Sequence, residues 1–151
     1  VEARTGRVAL ERAGSKAPLW LSYTLDDHVP DTLRSGEPVA DAVRAAADLG
    51  AEAVLFNCCQ AETITLAIAT TVGLALPGVA TGGYANRFAD SHAEEVNANE
   101  GLATFRDDLD PGEYGGFVAK WLRMGATMVG GCCGMEPAHI REIAALVAAA
   151  S

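Results

Sequence analysis

The chain reads as an α/β protein built from four strand-then-helix units whose strands lie parallel in one sheet. Two observations predict this. Short apolar runs end near Leu25, Asn57, Gly83 and Gly131, and amphipathic stretches long enough for a helix separate them, which is the alternation of βαβ architecture. Short connections with right-handed crossovers then make the sheet parallel. No period in the residue identities supports a repeat protein. Periodicity alone leaves a four-stranded doubly wound sheet and half of a (β/α)8 barrel equally open.

The elements follow in order. Val8, Ala9 and Leu10 among charges read Val1 to Gly14 as the close of a helix. Pro18 leads into a first strand over Leu19 to Leu25, with Ser22 and Thr24 on one face, either inward in a barrel or bonded to neighbouring backbone. Asp26, Asp27 and His28 occupy the loop that runs to Gly36, and such a trio reads as a solvated turn before it reads as a second metal site. Pro38 suits a helix start; Val39, Ala42, Val43, Ala46 and Leu49 form its apolar stripe and Gly50 stops it. A second strand covers Ala53 to Asn57. The next helix runs from about Glu62 with Ile64, Ala67, Ile68 and Val72 on one face and Gly73 beyond its end.

Val79 to Gly83 is a short third strand whose paired glycines permit a close backbone approach. From Tyr84 to Gly112 there is no clear periodicity, and a connection of that length is either functional or disordered. It holds Tyr84, Asn86, Arg87 and His92. Tyr114, Phe117, Val118, Trp121 and Leu122 make a helical stripe that reads as core, closed by Gly125. A fourth strand over Ala126 to Gly130 precedes a last helix opened by Pro137, with Ile140, Ile143, Ala144 and Val147 toward the sheet. His139, in its first turn, reads as a surface residue.

The cysteines carry the chemistry. Cys132 and Cys133 stand between Gly131 and Gly134 at a strand-to-helix corner. Side chains of neighbouring strand residues point to opposite faces, so both thiols reach one ion only if the backbone turns between them, and the glycines permit that turn. Alone, the pair reads equally as buried structural cysteines, since free Cys packs as a small hydrophobe. Cys58, also at a strand end, tips the balance. Parallel α/β sheets collect strand C-termini on one face, and three thiolates there suit a catalytic zinc with its fourth position open. Cys59 would make a fourth ligand, but no glycine turn flanks it, and it reads as pointing away.

Asn57-Cys58 together with the run Gly130-Gly131-Cys132-Cys133-Gly134-Met135-Glu136-Pro137-Ala138-His139-Ile140 resembles the homocysteine S-methyltransferase family, in particular its betaine-homocysteine members. The second motif is highly specific; Asn-Cys alone is weak. The resemblance runs from about Pro18 to the end and corresponds to the C-terminal half of that family's (β/α)8 barrel. It implies that residues 1–151 are a partial homocysteine-binding barrel domain, strands five to eight, with the N-terminal half absent. It implies zinc held by Cys58, Cys132 and Cys133, and methyl transfer from a small donor to the homocysteine thiol, giving methionine. Asn57 and Asn86 are the implied substrate-binding residues. Two departures stand out: Leu55 occupies the place of the family's Gly before that Asn, and Ala85 replaces the Pro of a Pro-Asn-x-Gly motif to which Asn86 corresponds.

Composition narrows the alternatives. A net charge of −9 without Lys/Arg clusters argues against nucleic acid or an anionic membrane surface. Half of the residues are hydrophobic, which favours a packed globular chain over disorder. No basic-then-apolar leader is present, and adjacent cysteines at strand ends fit intracellular metal chemistry better than disulfides, so the expected compartment is the cytoplasm. A whole barrel needs about 250 residues, whereas this sequence has 151 and begins at Val1, so it reads as an excerpt or a processed product. The other readings are an inactive zinc-binding half-barrel or interaction module, which associates with itself or with the missing half, and a redox thiol device.

Overall fold

The computed structural model describes residues 2–89 and 104–150; His92 and the middle of the long connection lie outside them. Nine elements follow in the order α1 Glu2–Arg12, β1 Trp20–Tyr23, α2 Val39–Asp48, β2 Ala53–Asn57, α3 Ala61–Gly73, β3 Ala80–Tyr84, α4 Pro111–Met124, β4 Met128–Val129 and α5 Pro137–Ala150 among the described residues. The four strands are parallel and lie in sequence order, with Tyr23 beside Phe56, Asn57 beside Tyr84 and Gly82 beside Met128.

That order decides between the two architectures. A doubly wound sheet reverses its strand order at a switch point so that helices cover both faces. Sequential order with right-handed crossovers puts every connecting helix on one face, as in an arc of a (β/α)8 barrel. The core agrees: Val54 and Phe56 of β2 are fully buried in one cluster with Val43, Ile64, Ile68, Val118 and Trp121 from the helices. On the opposite face Trp20, Leu55, Tyr84 and Met128 line a shallow apolar depression.

Local chemistry explains most boundaries. Asp110 caps α4 by accepting the N–H groups of Gly112 and Glu113, Pro111 sits where no donor is needed, and Gly125 ends the helix at φ 107°. The N-terminus of α3 is capped from a distance: Asp27 Oδ1 accepts both the Gln60 N–H and the Thr63 hydroxyl. Asp26 closes its own turn by accepting from the N–H groups of His28 and Val29. The Asp26-Asp27-His28 trio thus shapes the turn that follows β1 and the start of α3.

Three expectations change. β1 and β4 are shorter than their apolar runs, with register pairs confined to Trp20–Tyr23 and Met128–Val129. In α3 the buried side is broad, with Thr63, Thr65 and Thr71 beside Ile64 and Ile68, while Val72 is exposed. Threonine fits there because Thr65 donates its hydroxyl to Ala61 O and accepts the Trp121 indole N–H, and Thr71 donates to Ala67 O. In α5 the buried residues are His139 and Ile143; Ile140 and Val147 are 47% and 39% exposed. This helix packs against α4, and Val147, though partly exposed, lines the depression on the sheet face together with Trp20, Leu55 and Met128.

Candidate metal centre

The four residues after Gly83 form a backbone template between the two cysteine corners. On one side Tyr84 O accepts the Cys58 N–H (3.2 Å), and the Asn86 N–H donates to Cys59 O (3.1 Å). On the other, Ala85 O accepts the Cys132 N–H (2.9 Å), and the Arg87 N–H donates to Cys133 O (2.9 Å). The alternation of an extended strand sends successive backbone groups to opposite neighbours, so one segment places both corners.

The chain turns sharply at each corner. Cys58 has φ 55°, a left-handed conformation that a residue with a Cβ adopts only at a cost. The two neighbouring thiols part there: Cys58 is half-buried at the site, and Cys59 is fully buried in the core. Sequence reasoning placed Cys59 away from Cys58 for lack of a glycine turn; the turn is made instead by Cys58 itself. At the second corner Gly134 takes φ 78°.

The Sγ atoms of Cys58, Cys132 and Cys133 all lie within 4.8 Å of one another, with Cys58–Cys133 at 3.7 Å and Cys132–Cys133 at 3.8 Å. Tetrahedral zinc with Zn–S of about 2.3 Å requires S···S separations of about 3.8 Å. The donor set therefore fits such an ion. Burial, and then the neighbouring thiols of Cys132 and Cys133, push the Cys58 pKa up to about 12. Crowded thiols resist becoming anions together, and a cation at their centre reverses that preference. Burial, with smaller contributions from Asp27 and Cys58, pushes Cys59 up to about 12 as well, which keeps it a neutral core thiol.

The other predicted residues sit close by. Asn57 Oδ1 accepts from the Ser22 hydroxyl (2.9 Å), which in turn accepts from Tyr84 OH (2.7 Å), a chain of side chains across β1, β2 and β3. Asn86 is buried, and its Oδ1 accepts the Phe88 N–H. His139 is neither a surface residue nor a ligand: it is 1% exposed, its Nδ1 accepts the Glu136 N–H, and its Nε2 therefore carries the proton donated to Leu109 O.

Tyr114 was legible only as core. It is fully buried, yet its hydroxyl accepts the Ala85 N–H (3.1 Å) and donates to Gly130 O (2.6 Å), tying the template to the strand that delivers the cysteine pair. No sequence pattern separates this tyrosine from an apolar neighbour in the same stripe. Tyr114→Phe is expected to leave the Ala85 N–H and the Gly130 carbonyl without this partner and to cost about 1–3 kcal/mol, read as a lower urea midpoint at unchanged m-value.

The fold and the three-thiol cluster define a barrel arc with a metal-competent centre at its strand C-termini. The model of the homocysteine S-methyltransferase family matches residues 1–147, and the chain belongs to that family. It is 29% identical over 150 residues to homocysteine S-methyltransferase 4 of Zea mays, covering 97% of this chain and 41% of that protein. The structure of the homocysteine methyltransferase MmuM from Escherichia coli in its apo form superposes with a TM-score of 0.66 at 26% identity, over 96% of this chain and 45% of that one. The metallated form gives 0.62 at 26% identity, over 98% and 41%. The chain thus spans less than half the length of these relatives.

Proposed function

We propose that these residues are strands five to eight of a zinc-dependent enzyme that transfers a methyl group from a small donor to the thiol of homocysteine, giving methionine. The observation that carries the reading is three Sγ atoms at zinc-ligand spacing on the C-terminal ends of two parallel strands. Cys58, Cys132 and Cys133 would hold the ion and leave its fourth position to the substrate. When bound, zinc supplies the positive charge that lowers a coordinating thiol's pKa, so a substrate thiol loses its proton at neutral pH. No side-chain base is then needed. Asn57, whose Oδ1 accepts from the Ser22 hydroxyl, would offer its amide N–H groups to the substrate. Asn86 contributes through the turn its side chain closes. The apolar sheet face with Trp20 and Leu55 would be covered by the other half of the barrel, which is also where most contacts to homocysteine and donor would lie. The reducing cytoplasm suits thiols that must stay free.

The test is a methylation assay of homocysteine with betaine, S-methylmethionine or a methylated folate, run on the longest natural chain carrying these residues and on the 151-residue chain. The long chain is expected to form methionine and the short one to form none, because transfer needs the methyl carbon held about 3–3.5 Å from the sulfur and in line with its leaving group. A long chain that binds zinc and methylates nothing would favour the inactive module.

A further inference from the structure

We infer that the short β-ribbon formed by residues 87–89 and 104–106 is a strap that holds the three thiols at zinc-ligand spacing, with Phe105 and Arg106 as its positioning residues. The inference rests on the zinc reading above.

The ribbon is built from backbone pairs: the Ala89 N–H donates to Thr104 O (2.8 Å) and the Arg106 N–H to Arg87 O (2.9 Å). Phe88 and Phe105 bridge across it with stacked rings, centroids 5.7 Å apart. One end grips the Cys133 corner. The Arg87 N–H donates to Cys133 O, and the Phe105 ring lies so close to Gly134 that a Cβ there would come within 2.8 Å of Phe105 Cε1 and 3.1 Å of Arg87 Cβ. Glycine at position 134 thus serves both its positive φ and the contact with the ring.

The other end grips the segment that follows Cys58. Gln60, two residues on, donates from Nε2 to Phe88 O (2.8 Å) and accepts at Oε1 from Arg106 Nη1 (2.7 Å). Arg106 also makes a two-pronged contact with Glu62 in the first turn of α3 (2.8 and 2.9 Å) and pairs with Asp108. The ribbon therefore joins the chain just after Cys58 to the chain just after Cys133, 75 residues apart in sequence. A framework that fixes both corners keeps the Sγ atoms at 3.7–3.8 Å before any ion arrives, so binding need not order them and metal affinity rises. Phe105 is 47% exposed, which is hard to explain if its task were to fill the core.

The experiment measures zinc affinity of the full reduced chain by competition with a chromophoric chelator, together with the cobalt(II)–thiolate absorption band and the urea midpoint of the metal-free protein. Phe105→Ala and Arg106→Met are each expected to weaken zinc about 10–100-fold, the range for groups that orient metal ligands, and to perturb the cobalt band, while the metal-free midpoint stays near wild type. Phe105→Tyr should restore wild-type affinity. Wild-type binding with unchanged affinity in both variants overturns the strap and leaves the zinc reading standing. So does a loss in Phe105→Ala matched by an equal loss of metal-free stability while Arg106→Met binds as wild type. A wild-type chain that takes up no zinc overturns both.

Discussion

Cys58→Ala, Cys132→Ala and Cys133→Ala are each expected to abolish stoichiometric zinc uptake, whereas Cys59→Ala retains one zinc per chain. The three Sγ atoms share one centre within 4.8 Å, and Cys59 is buried on the other side of the turn at Cys58. Removing one of three protein ligands should cost more than the roughly 10–100-fold loss that follows removal of an outer partner. It also leaves two thiols, which do not complete the closed three-sided set that a catalytic zinc requires. The penalty for Cys59→Ala is confined to stability, through lost core packing. Metal analysis of the four purified variants under reductant decides it. A zinc-free Cys59→Ala protein beside a zinc-loaded Cys58→Ala protein would reverse the assignment.

Gly82→Ala is expected to destabilise the protein by about 3 kcal/mol or more, at the upper end of what overpacking costs. A Cβ on Gly82 would overlap the backbone carbonyl of Met128, its register partner, and backbone cannot rotate aside as a side chain does. The only relief is to pull β3 from β4. β4 pairs through only Met128 and Val129, and the cysteine pair follows directly after it, so the strain should reach the metal centre too. Gly116→Ala is the control: it lies in α4 where an added Cβ meets nothing within 4 Å, and it should stabilise by about 0.5–1 kcal/mol through helix propensity. Urea unfolding of the two variants measures both. A Gly82→Ala protein as stable as wild type would mean that β4 is not held in this register.

Much of this protein was decided locally, and those parts were legible. The Tyr114 to Leu122 stripe and Gly125 stop of α4, the Val39, Val43 and Ala46 stripe of α2, and the β2 run ending at Asn57 depend on backbone conformation and on periodicity within a few residues. The cysteine corner was legible for the same reason, since adjacent thiols between glycines constrain the chain wherever it folds. What depends on which element lies beside which was not. Strand order, which separates a barrel arc from a doubly wound sheet, is a property of the crossovers. The exposure of Ile140 reflects where α5 packs, because an apolar stripe does not state which side of it will find a partner. His139 and Tyr114 look alike in sequence to a surface histidine and a core aromatic. Their roles depend on acceptors 30 and 16 residues away, Leu109 O and Gly130 O, which only the tertiary structure brings within reach. The strap is the extreme case: Gln60, Phe88 and Arg106 carry no motif, and their hydrogen bonds exist because the sheet sets the segment after β3 beside the start of α3.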